Sequence, residues 1–200
     1  MFHSKLRSVL PRLHRTASRC FSFSLASPRS LNDIVKLDAL QALESNKIED
    51  IWTIYHSDPK LSAVGHVLTP DHHSLIMERA KSCPMFVFPV FKDADNYYSL
   101  VSQFQDRLFF LTYLEDYRTN PTTAQPYMSI ALFDELKETK GLCFSRADYL
   151  PSVSRSEAGR ILDLVSQCYT NDEGFKHIHA FNKTPDKFSF PDSVEYLKNV

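Results

Sequence analysis

Three apolar runs separated by two short turn signals constrain this chain more than any other feature. Residues 85–91 (MFVFPVF), 97–105 (YYSLVSQFQ) and 108–112 (LFFLT) are rich in phenylalanine, valine and leucine, and are divided by DADN at 93–96 and by Asp106-Arg107. Short runs of β-branched and aromatic residues punctuated by turn formers read as an antiparallel meander. Pro89 inside the first run predicts an edge strand or a bulge, because proline has no N–H to give to the ladder. Residues 127–133 and 142–146 read as two further strands, which makes a mainly antiparallel sheet of about five.

The helical signals fall on either side of this block. Ser30 can cap a short helix, with Asp33 at the positive end of its dipole and Leu31, Ile34, Val35 and Leu37 as apolar contacts. Asn46 and Glu49 have capping-box spacing, and Ile48, Ile51, Trp52 and Tyr55 follow at i, i+3, i+4 and i+7, up to Ser57 ahead of Pro59. Thr69-Pro70 opens a third helix reaching Ser82 with Ile76 and Ala80 inward. A short helical piece surrounds Glu115, and Pro121 and Pro126 mark a loop. Ser154 and Glu157 form a second capping pair, ahead of Ala158, Ile161, Leu162, Val165 and Tyr169. Helices and strands are segregated along the chain, so the class is α+β: helices first, then a sheet with helices packed on it. Beyond Asn171 the chain is polar, with Phe175, Phe181, Phe188, Phe190 and Tyr196 at no clear period. It reads as a strap over the domain or a partly disordered tail.

Charge divides the chain where composition does not. The 200 residues have a formal charge of -1, yet Lys5, Arg7, Arg12, Arg15, Arg19 and Arg29 precede the first acid, Asp33, so a +6 segment is joined to a remainder of -7. Arg-rich, Ser-rich and acid-free is the composition of a mitochondrial transit peptide, here expected over residues 1–30. Leu6, Val9, Leu10 and Leu13 would form its apolar stripe, although Pro11 interrupts an ideal helix. A domain over 31–170 and the tail over 171–200 complete the expected organisation. The longest apolar stretch, 85–91, is far short of the roughly 20 residues that span a bilayer, so no stable membrane insertion is expected. The acidic remainder argues against nucleic acid and for a protein partner.

Glycine scarcity removes whole classes of chemistry. Gly65, Gly141, Gly159 and Gly174 are the four glycines, too widely spaced for a phosphate loop or a dinucleotide fingerprint, and no G-x-S-x-G or H-E-x-x-H occurs. His66, His72 and His73 lie close in sequence around Asp71, but adjacent histidines on a helix diverge by about 100°, so the reading is a solvated helix start rather than a metal site. Cys83, between a helix end and Pro84, reads as a small core residue. Cys83, Cys143 and Cys168 are too far apart for a zinc knuckle, and no cofactor is implied. The aromatic content exceeds what one small core obviously needs, and Trp52 and Tyr55 are candidate interface anchors, the alternative being that their stripe packs on the sheet.

Six strings occur in a specific order: Leu31-Asn32-Asp33-Ile34-Val35-Lys36-Leu37; Ile48-Glu49-Asp50-Ile51-Trp52 with Tyr55-His56; Ala80-Lys81-Ser82-Cys83-Pro84-Met85-Phe86-Val87; Thr112-Tyr113-Leu114-Glu115-Asp116-Tyr117; Ala124-Gln125-Pro126-Tyr127; and Glu135-Leu136-Lys137-Glu138-Thr139-Lys140-Gly141-Leu142. In register over about 31–170, they resemble the mitochondrial ATP synthase F1 assembly factor family whose members chaperone the beta subunit. The resemblance implies a monomeric matrix chaperone, not an enzyme. Such a protein binds free F1 beta subunit transiently, covers the surface that beta later presents to alpha, and yields it without hydrolysing ATP. Trp52, Tyr55, Tyr117 and Tyr127 are the expected contact residues, with the 86–88 strand as core. The alternatives are a small matrix enzyme using Cys83 or the His66, His72 and His73 group, and a structural subunit of a respiratory assembly.

Overall fold

The structure is a computed structural model that describes residues 30–93 and 96–200. The transit segment expected over 1–30 thus lies, apart from Ser30, outside the described residues. A 3-10 turn at Leu31–Asp33 is held by the Ser30/Asp33 capping box and followed by α1 (Leu37–Gln41). Helix α2 (Ser45–Ser57) leads into β1 (Ala63–Leu68), and α3 (Pro70–Ser82) into β2 (Met85–Phe91). Strands β3 (Tyr97–Gln105) and β4 (Leu108–Tyr113) precede α4 (Leu114–Thr119). Then come β5 (Met128–Phe133), α5 (Lys137–Lys140) and β6 (Cys143–Tyr149). Helices α6 (Arg155–Thr170), α7 (Asp172–Lys183) and α8 (Phe190–Asn199) close the chain, with a 3-10 turn at Pro185–Lys187 before α8.

The six strands form one antiparallel sheet in the order β1-β6-β5-β4-β3-β2. The meander occupies one side, and β2 is the edge strand that Pro89 demands. Asn182 protects the start of that edge: its side chain accepts from the Met85 N–H at 3.2 Å and donates to the Met85 carbonyl at 2.6 Å. Asp106, at φ 57°, turns β3 into β4 in the left-handed region that aspartate tolerates.

The two faces of the sheet are covered differently. Phe86, Phe88, Leu100, Phe109, Leu111, Met128, Ile130, Leu132 and Cys143 project to one face, which α3, α6, α7 and α8 cover. Ala131, Phe133 and Phe144 project to the other, where α1, α2 and the turn at Leu31 build a second cluster around Trp52. At the starts of α3 and α6 the sequence reading and the structure coincide. Ser154 and Glu157 bond reciprocally at the start of α6, and Thr69 accepts from the His72 N–H at 3.2 Å ahead of Pro70.

Three departures have physical causes. Asn46 and Glu49 form no capping box, because the helix begins two residues earlier with Glu44 as its cap, and the Ser45 hydroxyl donates to the Lys140 carbonyl instead. Residues 63–68 (AVGHVL) form a sixth strand that their short mixed pattern did not announce. Residues 172–183 and 190–199 form helices laid over the sheet: Phe181 of α7 and Phe188 beyond it meet Phe86, while Gly174 admits the close approach of Cys168. The inward positions recur at helical spacing, Phe175, Ile178 and Phe181 on α7 and Ser193 and Leu197 on α8, a period that the spacing of the aromatic residues alone does not show.

Candidate partner-binding surface

On the face shared by α2 and α4, pairing register aligns Gln103 (β3), Phe110 (β4), Ser129 (β5) and Asp148 (β6) in one cross-strand row. The adjacent row on that face is Gln105, Leu108, Ala131, Arg146 and Gly65. Gln103, Phe110, Ser129, Asp148 and Leu108 are all half-buried, so this strip is only partly roofed.

Helix α2 bounds the strip on one side. Trp52 is 1% exposed and packs on Phe144 at 4.7 Å and Phe133 at 6.3 Å between ring centroids. It anchors α2 to β5 and β6 and has no surface to offer, which corrects its expected place among the contact residues. An aromatic at i+4 from Ile48 sits at the centre of the helix stripe, and that position is the one buried most deeply. Tyr55, one turn on, is half-buried and lies beside the Arg146 side chain. Ile54 beside it is 43% exposed, a residue that no spacing argument singled out.

Beneath Tyr55 lies a buried charged network. The Arg146 guanidinium forks onto Asp148, with Nη2 2.7 Å and Nε 3.1 Å from its oxygens. His56 Nδ1 is 2.9 Å from the Trp52 carbonyl and Nε2 is 3.4 Å from Arg146 Nη1. Burial above all, with Arg146 and Arg155 nearby, lowers the His56 pKa to about 4, so the ring is neutral at pH 7.

Helix α4 forms the opposite wall. The Tyr117 hydroxyl accepts from Gln103 Nε2 at 3.3 Å, and the Tyr127 hydroxyl donates to Asp116 Oδ2 at 2.8 Å. That last bond, more than burial, raises the Tyr127 pKa. Tyr117 and Tyr127 are half-buried, so three of the four expected contact residues keep accessible surface, although Tyr127 packs on Tyr113 at 6.3 Å between ring centroids, against the cluster of the sealed face.

The residues considered for catalysis are dispersed. Cys83 is fully buried, and its carbonyl accepts from the Tyr169 hydroxyl at 2.9 Å. His66 faces Asp163 at 3.6 Å, His72 is exposed, and His73 is buried rather than solvated, with its pKa lowered by burial. Among the described residues no group of three His, Cys, Asp or Glu side chains is placed to hold a metal ion, and no helix is long and apolar enough to cross a membrane.

These features define an α+β protein with one sheet face sealed by helices and the other partly open between two walls bearing tyrosines. The chain belongs to the ATP11 protein family, whose model matches residues 14–193. It is 24% identical over 173 residues to the ATP synthase mitochondrial F1 complex assembly factor 1 of Homo sapiens, covering 85% of this chain and 52% of that protein. The Mus musculus protein of the same name is 25% identical with the same coverage. That of Danio rerio is 23% identical over 163 residues, 80% of this chain and 53% of the relative. The chain thus spans about half the length of the curated relatives it matches.

Proposed function

We propose that this protein is a mitochondrial matrix chaperone for F1 ATP synthase assembly. It binds the unassembled beta subunit, keeps it from aggregating and releases it to the alpha subunit, by binding and release rather than catalysis. The observation that carries this reading is the family match over residues 14–193, with relatives named as F1 complex assembly factors. The acid-free, arginine-rich segment ahead of Asp33 supports import into the matrix.

An unassembled subunit exposes the apolar surface meant for its neighbour, and such patches aggregate. A protein that covers the patch holds the subunit soluble by mass action, and a tighter partner then displaces it with no need for nucleotide energy. A tenfold handover preference corresponds to about 1.4 kcal/mol, well within reach of an interface of roughly 1,200–2,000 Å². Tyr55, Tyr117 and Tyr127 are the proposed contact residues, with Trp52 holding the wall from beneath.

The experiment is a pull-down with the full 200-residue chain, purified beta subunit and no nucleotide, paired with light scattering of beta alone. Retention of beta, suppressed scattering and release on adding alpha are expected. A chain that neither retains beta nor lowers its scattering, or that holds beta permanently after alpha is added, would sink the reading.

A further inference from the structure

We propose that the strip of sheet between α2 and α4 docks a single basic, apolar segment of the client subunit, with Phe110 and Ser129 as its floor and Tyr55 and Tyr117 as its walls. The proposal deepens the chaperone reading and rests on it. Strand spacing sets the width: Arg146 on β6 lies beneath Tyr55 and Gln103 on β3 beneath Tyr117, which is three strand spacings, or about 14 Å. A helix with its side chains is about 10–12 Å across and a strand is narrower, so one element fits and two do not.

The floor can take an apolar segment. Phe110 and Leu108 are half-buried, while Gln103 and Ser129 can hydrogen-bond a backbone laid over them. Charge specifies the rest of the occupant. Residues 31–58, which form and support the α2 wall, carry six carboxylates against Lys36 and Lys47, and α4 adds Glu115 and Asp116 against Arg118. Five of the seven net negative charges of residues 30–200 therefore sit on the two segments flanking the strip. The helices on the sealed face differ: α3, α6 and α7 are each neutral and α8 has a net charge of -1. Asp38, Glu44, Glu49 and Asp50 are exposed and form no ion pair among the described residues, so their field is free to attract lysine or arginine.

The test compares retention of beta subunit by four full-length proteins, each checked by thermal melting. These are the wild type, Glu49→Lys with Asp50→Lys, Phe110→Ser, and a far-face control, Asp186→Lys with Glu195→Lys. The expected result is at least a tenfold loss for the α2 charge reversal at low salt, shrinking at high salt. A comparable loss at every salt is expected for Phe110→Ser, and no change for the control. Folded strip variants that retain beta like wild type would overturn the assignment while leaving the chaperone reading intact, as would an equal loss in the control. Sedimentation in which Phe110→Ser turns a dimer into a monomer with beta binding unchanged would make the strip a contact between copies and overturn it too. Failure of the wild type to retain beta would sink the chaperone reading, and this surface with it.

Discussion

The imidazole of His56 fills the space that any side chain at Gly65 would need. A Cβ built on Gly65 would stand 2.9 Å from two carbons of that ring. The ring cannot swing aside freely, because Nδ1 is tied to the Trp52 carbonyl and Trp52 lies 4.1 Å away, centroid to centroid. Gly65→Ala is therefore expected to cost about 1–3 kcal/mol, the usual penalty of overpacking. Urea unfolding measures it, and pairing the change with His56→Ala should recover much of the loss through the coupling of the two sites. A Gly65→Ala protein as stable as wild type would contradict the contact.

Acid should act on the same histidine. Its folded-state pKa of about 4 lies below the ordinary 6.5, so the unfolded chain binds the proton more readily than the folded one. Stability is whole above about pH 6.5 and is lost as pH falls from there toward 4. The linked loss from His56 is about 2–3 kcal/mol. His73, also lowered by burial, acts in the same direction. Melting curves from pH 7.5 to 4.5 check this, and His56→Gln should flatten the decline. An unchanged slope in that variant would mean that other groups carry the acid sensitivity.

Arg155 stitches three segments together. Its guanidinium donates to the carbonyls of His56, Asp58, Leu61 and Ala63, so one side chain joins the end of α2, the connection after it and the outer edge of β1. Arg155→Ala should cost about 2–4 kcal/mol, since charged donors would leave part-buried carbonyls unpaired. Arg155→Lys should recover only part of that, because a lysine cannot reproduce the planar fork. Chemical denaturation separates the three proteins, and full rescue by lysine would refute the geometry.

Trp52 and Tyr117 should part stability from binding. Trp52→Ala removes a fully buried ring and is expected to cost about 3–5 kcal/mol. Its indole N–H has no hydrogen-bond partner among the described residues, so Trp52→Phe should be much milder. Tyr117→Ala removes a half-buried wall residue and should cost less than about 1 kcal/mol while lowering retention of beta subunit. Calorimetry beside the pull-down decides it. A large stability loss at Tyr117 with normal binding would make that residue structural.

Much of this fold is legible in short windows. Ser154 and Glu157, Thr69-Pro70, and the meander with Pro89 on its first run each place an element because their signals span only a few residues. The candidate surface is less legible. Tyr55 and Tyr117 stand sixty-two positions apart in the chain, and nothing near either marks the half-buried Phe110 between them. Trp52 shows the opposite difficulty: a large aromatic suits a core and an interface equally, and periodicity indicates which way it points but not what lies over it.

Caps, turn residues and apolar period were therefore enough to settle the α+β class and most element boundaries, and to narrow β2 to an edge strand or a bulge, because those preferences are local and act before long-range contacts form. The sixth strand, the helices after Asn171 and the open strip on one face arose only once distant segments met. Their stability comes from burial against partners remote in sequence, with Phe86 beneath Phe181 and Arg146 between His56 and Asp148. For the sixth strand and the strip such contacts leave no period in any single window, since the loop-closure entropy they overcome and the surface they bury belong to the whole chain, whereas α7 carries one at Phe175, Ile178 and Phe181.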